Sequence, residues 1–290
     1  MSRAPTPGLL AVTGARGRLG RALMASAGRV TQGWDRPLFD LDDPASIVRL
    51  VERDRPALVV HTAAMTATDE AARRPELAMR RNAESVEALA TACRSVGAGL
   101  VLVSTNEVFD GLRDDGRGYT EEDEPAPGNA YGRSKLAGEV GARRSFEGHD
   151  GLWVVRTVWL YGPPGGDFPD KITAAADRLP PGEPLPVVAD EWGSPTAASD
   201  LAAAILALVE RTRGGLFHLA DSGVASRYEW ASAVLAARRP ERALLPISRQ
   251  EFERASDPPP WGVLDCGRAA ELGVTLRPWR AALEAYLASG

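Results

Sequence analysis

Along the first half of the chain, short runs of consecutive apolar residues alternate with segments whose apolar positions recur at helical spacing. Gly8-Leu-Leu-Ala-Val-Thr13 reads as a buried strand, and Leu19 to Ser26 as the helix that follows a glycine-rich turn. Arg29 to Asp35 predicts a second strand, Pro44 to Arg53 a helix, and Ala57-Leu-Val-Val-His61 a third strand. Pro75 to Val96 places Leu77, Met79, Val86, Leu89 and Cys93 on one helical face, and Gly97 to Gly99 closes that helix before Leu100-Val-Leu-Val103. Ala130 to Arg144 predicts a further helix and Leu152 to Arg156 a further strand. Fully apolar strands separated by helices predict an α/β protein with a doubly wound parallel sheet covered on both faces.

The rhythm breaks after about residue 160, at Tyr161-Gly-Pro-Pro-Gly-Gly166, and prolines cluster again from Leu179 to Pro186. The sequence therefore divides into a dinucleotide-type region, 1–160, and a smaller, mainly substrate-binding α/β region, 161–290, with some segments returning to the first. Helices are expected at Ser199 to Arg211, Arg227 to Ala237 and Pro278 to Ala288, and strands near Pro186 to Val188 and Gly215 to Leu219.

Composition narrows the partners. With 290 residues, 44% hydrophobic content, and 34 basic against 39 acidic residues, the chain has enough apolar material for a sizeable core and carries no basic footprint for a nucleic acid or an anionic membrane. Cys93 and Cys266 match no metal-ligand spacing and read as reduced thiols. Met1 to Gly8 lacks the pattern of an export leader, and no apolar run reaches about 20 residues. These features predict a cytoplasmic protein with small-molecule partners, no bound metal and, as the default assembly, a two-fold dimer.

Thr13-Gly-Ala-Arg-Gly-Arg-Leu-Gly20 lies between the first strand and helix. Gly14 permits the tight turn, Gly17 lets backbone N–H groups approach a pyrophosphate, and Gly20 lets the helix close on the sheet. In that context the loop predicts a Rossmann-type site for NAD or NADP. Asp35 stands where a carboxylate accepts both ribose hydroxyls of NADH, whereas Arg16, Arg18 and Arg36 suit the 2′-phosphate of NADPH; the balance tips slightly to NADPH.

Tyr131-Gly-Arg-Ser-Lys135 puts a phenol and an ammonium on one helical face. The ammonium stabilises the phenolate left when the phenol gives its proton to a developing alkoxide, and Lys135 can also hold the nicotinamide ribose. Thr105, in Val103-Ser-Thr-Asn-Glu-Val-Phe-Asp-Gly111, ends a strand where its hydroxyl can polarise a substrate carbonyl.

Taken together, G-A-R-G-R-L-G, F-D-L-D-D-P at 39–44, H-T-A-A-M-T-A-T-D-E at 61–70, S-T-N-E-V-F-D-G, N-A-Y-G-R-S-K-L-A-G-E at 129–139, R-T-V-W-L-Y-G at 156–162 and D-E-W-G-S-P-T at 190–196 resemble the extended short-chain dehydrogenase/reductases. Within them the likeness is to the dTDP-4-dehydrorhamnose reductases. The resemblance implies hydride transfer to the C4 ketone of a nucleotide-linked 6-deoxyhexose. It places Thr105, Tyr131 and Lys135 on the catalytic positions, and Arg18, Leu19, Asp40, Leu41, Ala63, Ala64 and Thr66 along the cofactor. It sets Trp159 against the substrate.

Two departures bear on the sugar. The family's S-T-D-Y-V-F is S-T-N-E-V-F here, so that Asn106 and Glu107 are expected at the sugar pocket; related dehydratases carry S-T-D-E, but an amide at Asn106 cannot exchange a proton. Met65 stands where the family often has a ring, and Ser256-Asp-Pro-Pro-Pro-Trp-Gly262 replaces an Arg-Pro segment. Competing readings are a dehydratase or epimerase with tightly held NAD, and a regulatory subunit that keeps the fold without catalysis. Individual positions also have structural alternatives: Trp159 as a core aromatic, Asp40 as an acid at the start of the Pro44 helix, His61 and His218 as core histidines, His149 as a surface turn and Glu121 to Glu124 as a solvated loop. Trp192 and Trp261 fit either a core lid or a ligand contact.

Overall fold

The computed structural model describes residues 8–28 and 30–289; Met1 to Pro7, and Arg29 at the start of the predicted second strand, lie outside the described residues. The chain opens with β1 (Leu10–Thr13), α1 (Arg18–Ser26), β2 (Thr31–Trp34), α2 (Pro44–Asp54) and β3 (Leu58–His61). Next come α3 (Thr68–Arg73), α4 (Pro75–Met79), a π-helical turn (Arg80–Glu84), α5 (Ser85–Val96), β4 (Gly99–Thr105), α6 (Ala130–Ser145) and β5 (Leu152–Thr157). The remainder runs β6 (Leu160–Tyr161), α7 (Phe168–Arg178), β7 (Leu185–Val188), β8 (Trp192–Gly193), β9 (Thr196–Ala197) and α8 (Ala198–Arg211). It ends with β10 (Gly215–His218), β11 (Ala225–Ser226), α9 (Arg227–Arg238), β12 (Leu244–Ile247), α10 (Gly267–Glu271) and α11 (Trp279–Ala288).

Six strands form one parallel sheet in the order β10-β5-β4-β3-β1-β2. Because successive strand residues point to opposite faces, each apolar run feeds two cores. Leu10, Val12, Leu58, Val60, Val101 and Val155 meet α1 and α8 through Leu19, Leu23, Leu201, Ile205 and Leu208. Ala11, Val59, Leu100, Leu102 and Val154 meet α2, α5 and α6 through Ile47, Leu50, Val51, Leu89 and Ala142. Burying each of these large aliphatic side chains is worth about 1.5–3 kcal/mol. β10 and α8 come from the second half of the chain, so the sheet is completed by residues beyond 160. The rest of that half makes three two-stranded pairs and packs α7, α9 and α11 around Tyr161, Trp230 and Ala176.

Two expectations need correction. The helix expected over Pro75 to Val96 widens into a π turn at Arg80–Glu84. There Asn82 is buried, its Oδ1 accepting from Met65 N at 2.8 Å while its Nδ2 donates to Met65 O and to Ser134 Oγ, each at 3.0 Å. Periodicity reports apolar positions and cannot show that one amide must reach two neighbouring segments. Nor is Glu121 to Glu124 simply a solvated loop. The Glu121 carboxylate is 3% exposed and accepts from His218 N at 2.8 Å, and Asp123 accepts from Thr120 N at 2.7 Å and pairs with Arg113.

Since β2 lies on one side of β1 and β3 on the other, the chain changes direction at β1, and the carboxyl ends of β1 and β3 flank a crevice. Thr13 ties the two ends together. Its Oγ1 accepts from Thr62 N (3.1 Å) and Ala63 N (3.2 Å) and shares a hydrogen bond with His61 Nδ1 (2.8 Å). His61 is a core histidine, held neutral by burial with its pKa pushed down to about 3.

Candidate active site

A cavity of about 730 Å³ follows the carboxyl ends of β1, β3, β4 and β5. At one end lie Gly14, Gly17, Arg18 and Leu19, then Trp34, Asp35, Arg36 and Leu41, with Ala63, Ala64 and Thr66 along the side. The glycine loop fits a dinucleotide. Gly14 has φ +62°, and a Cβ there would meet Ala63 N at 3.0 Å; a Cβ on Gly20 would lie 2.1 Å from Gly14 O, so the helix can approach the loop only without one. No side chain caps α1 at Gly17, which leaves its first N–H groups free for an anion, and Arg18 Nε is buried without a partner. These residues suit the pyrophosphate and ribose of a nicotinamide dinucleotide.

Three of the expected cofactor residues do not line the cavity. Gly20 sits beneath the loop as a packing position, and Arg16 projects outward, its side chain 80% exposed and 3.9 Å from Asp35. Asp40 accepts from Arg36 Nε (3.1 Å) and from Asp42 N (3.0 Å); the cap of α2 is Asp43, so Asp40 is not the helix-starting acid either. Arg81, from the π turn, does line the cavity and grips Asp42 with two bonds of 2.6–2.7 Å. Its sequence neighbourhood reads as an ordinary helix surface, and only the π turn brings it here.

Toward the other end, Thr105 closes β4 while Tyr131 and Lys135 project from the first turns of α6, and all three line the cavity. Asn129 starts that helix by accepting from Gly132 N at 2.8 Å, and its Nδ2 donates to Glu107 Oε2 at 2.7 Å. Thr105 Oγ1 accepts from Glu107 N (3.2 Å) and donates to Asn106 Oδ1 (3.3 Å). Burial and the Glu107 charge push the Tyr131 pKa up, so the phenol carries its proton at neutral pH. Lys135 Nζ donates to Val103 O at 2.7 Å. Burial lowers its pKa to about 8, against the pull of the Glu139 carboxylate. Glu139 in turn is fully buried in a two-bond pair with Arg156, at 2.7 and 3.0 Å.

Beyond the triad the cavity is walled by Trp159, Phe168, Trp230 and Arg227. Trp159 is no strand-core aromatic: it lies between β5 and β6 with φ +46°, stacked on Trp230 with ring centroids 5.7 Å apart. A bulky residue held at positive φ stores about 1–3 kcal/mol of strain. Gly193 gives the indole room, since a Cβ there would lie 2.9 Å from Trp159. Asn106 is buried beside Gly262, and Glu107 lines the cavity with its pKa raised, chiefly by burial. The proline-rich stretch Ser256 to Gly262 anchors the surroundings: Ser256 bonds Asp69 at 2.7 Å and Asp257 O accepts from Asn129 at 3.1 Å. Trp192 and Trp261 pair there as neighbours, 6.3 Å apart, outside the cavity. Arg227, Phe168 and Trp230 were not singled out from the sequence, because they come from the second half, where no motif marks them.

A glycine loop at the direction change of a parallel sheet, sharing one cavity with a strand-end threonine and a Tyr-x-x-x-Lys helix, defines the extended short-chain dehydrogenase/reductase class. Within it, the chain belongs to the family of the RmlD substrate binding domain, whose model matches residues 9–290. It is 39% identical to a dTDP-4-dehydrorhamnose reductase of Mycobacterium tuberculosis, over 97% of this chain and 92% of that protein. It is 36% identical to a dTDP-4-keto-6-deoxy-D-glucose reductase of Streptomyces niveus, over 94% of each. The crystal structure of dTDP-4-dehydrorhamnose reductase from Bacillus anthracis in complex with NADP superposes with a TM-score of 0.90 at 31% identity, covering 98% of this chain and all of that one.

Proposed function

We propose that this chain reduces the C4 ketone of a nucleotide-linked 4-keto-6-deoxyhexose, carried on dTDP, with NADPH as the reductant. The observation that carries the reading is the grouping of Thr105, Tyr131 and Lys135 in the cavity that the glycine loop opens. When bound at that loop, the reduced nicotinamide supplies the hydride. Gly14, Gly17, Arg18 and Leu19 hold the dinucleotide, flanked by Asp35, Arg36, Leu41, Ala63, Ala64 and Thr66, while Gly20 holds the helix close beneath it. Thr105 turns its long hydrogen bond from Asn106 to the substrate carbonyl and polarises it. Tyr131 delivers the proton to the oxygen, and the Lys135 ammonium stabilises the phenolate that remains. Residues 1–160 mainly serve the dinucleotide and 161–290 the sugar nucleotide, with β10 and α8 returning to the sheet; the cytoplasm is the compartment that fits. The names of the relatives support the dTDP-linked sugar, and the NADP in the Bacillus anthracis structure supports the cofactor.

Asn106 weighs against dehydration, because its amide exchanges no proton and is fixed against Thr105 and Gly262. The test follows NADPH absorbance against enzymatically generated dTDP- and UDP-linked 4-keto-6-deoxyhexoses. Oxidation with a dTDP-linked ketone is expected. Oxidation with none of them, or turnover of such a sugar by protein whose NAD survives gel filtration without added reductant, overturns the reading. Tyr131→Phe is expected to lower kcat by about 10²–10⁴-fold while leaving NADPH affinity in place.

A further inference from the structure

Arg227 is the residue of this cavity whose role the reaction leaves open. It is the first residue of α9, where a cation is disfavoured by the helix dipole, yet the Cζ of its guanidinium lies over the Trp159 ring, 3.8 Å from the centroid. Phe168 and Trp230 sit at 5.4 and 5.9 Å, so three aromatic rings neighbour the guanidinium. The side chain stays 24% exposed, and it lines the cavity.

Its charge is poorly matched by its surroundings. The nearest carboxylate, Glu191, is 2% exposed and stands 3.7 Å from Arg227, longer than a hydrogen bond. Arg254 already reaches both Glu191 oxygens, and Arg249 approaches the same group at 3.9 Å. Arg249 has a second partner in Asp257, and Arg254 is spent on Glu191. Glu107, the other acid facing Arg227, is held by Asn129 and is pushed toward its neutral form by burial. Three guanidiniums thus gather about one buried carboxylate, and the one that opens on the cavity is Arg227.

A planar cation, backed by an indole and short of a hydrogen-bonding carboxylate, is matched by a phosphate oxygen. The glycine loop that suits the cofactor's own pyrophosphate contributes other residues to the cavity wall, Gly14, Gly17, Arg18 and Leu19. We propose that Arg227 grips the diphosphate of the sugar-nucleotide substrate, with Trp159 as its back plate, and so sets the ring's distance from Thr105 and Tyr131. This assignment rests on the sugar-nucleotide reading above.

The test compares wild type with Arg227→Gln and Arg227→Lys, each checked first for an unchanged melting curve. Titrations with dTDP, thymidine and inorganic pyrophosphate are run in the presence of NADP. Arg227→Gln is expected to weaken dTDP and pyrophosphate by about 10–100-fold, and to raise the sugar-nucleotide KM similarly, with thymidine and NADPH unaffected. Arg227→Lys, which keeps the charge without the two-pronged geometry, is expected to recover part of the loss. Equal weakening of dTDP and thymidine, or no weakening of dTDP, overturns the clamp. Weakened NADPH with unchanged dTDP assigns the guanidinium to the cofactor's phosphates and overturns it as well. If wild type binds dTDP and pyrophosphate but turns over no keto-sugar, the reductase reading falls while the clamp is still decided by the titrations. If Arg227→Gln does not fold, Arg227→Lys decides, and its full affinity for pyrophosphate and dTDP would count against a forked grip.

Discussion

Lys135 is where the chemistry is most exposed to pH. Its ammonium is buried with its pKa lowered to about 8, well below the ordinary lysine value, so the charge proposed to support Tyr131 is present below that pH and lost as pH rises through it. The kcat/KM for NADPH, which reports the free enzyme, is therefore expected to fall on the basic side with a break near pH 8. Glu139→Gln removes the one carboxylate that holds this pKa up, and the break should move to lower pH; an unmoved break would detach Glu139 from the catalytic lysine. Thr105, Tyr131 and Lys135 were legible in the sequence because their spacing is local: four positions on one helix, and one strand end. Arg81 and Arg227 were not, since one needs a π turn to aim it and the other a helix delivered from the far half of the chain. A charge on a helix reads the same whether it faces water or a cavity.

At the scale of elements, the start of α6 joins two tasks in one residue. Asn129 caps the helix that carries Tyr131 and also holds Glu107 and the carbonyl of Asp257. Further along the same helix, Glu139 meets Arg156 of β5, with exposures of 0% and 1%. Removing Arg156 leaves the interior Glu139 charge with only the longer bond from Arg143, at 3.4 Å, so Arg156→Leu is expected to cost about 3 kcal/mol of stability, read from the shift of a urea midpoint. A loss below about 1 kcal/mol would mean that water reaches Glu139. Strand and helix identities were readable here because the apolar period switches cleanly between the two. The widening at Arg80–Glu84 escaped, since one inserted turn leaves the flanking apolar faces intact.

For the molecule as a whole, acid is the weak flank. His61 and His218 are buried and neutral, with pKa values pushed down to about 3 and 4. Below about pH 6.5 the unfolded chain takes up protons that the folded one refuses, so stability present above that pH drains away as pH falls toward 4. Asp221 acts in the opposite sense: burial raises it to about 7, so the folded state keeps a proton that the unfolded chain has released, and that contribution is lost as pH rises through 7. Asp221→Asn is expected to steepen the fall of unfolding free energy between about pH 6 and 4.5 by up to one proton, about 1.4 kcal/mol per pH unit. An unchanged slope would mean that Asp221 is ionised in the fold.

The sheet order was only partly legible: alternation gave parallel strands, but nothing in Gly215 to His218 itself says that it docks beside β5. That docking, together with α8 lying over Leu10, Val12 and Leu23, decides how the chain can be taken apart. The glycine- and proline-rich bend at 161–166 looks like a place to cut, yet a fragment ending there would leave a bare greasy face and an open sheet edge. Such a fragment is expected to clump rather than hold a nucleotide, which its light scattering and NADP binding would show.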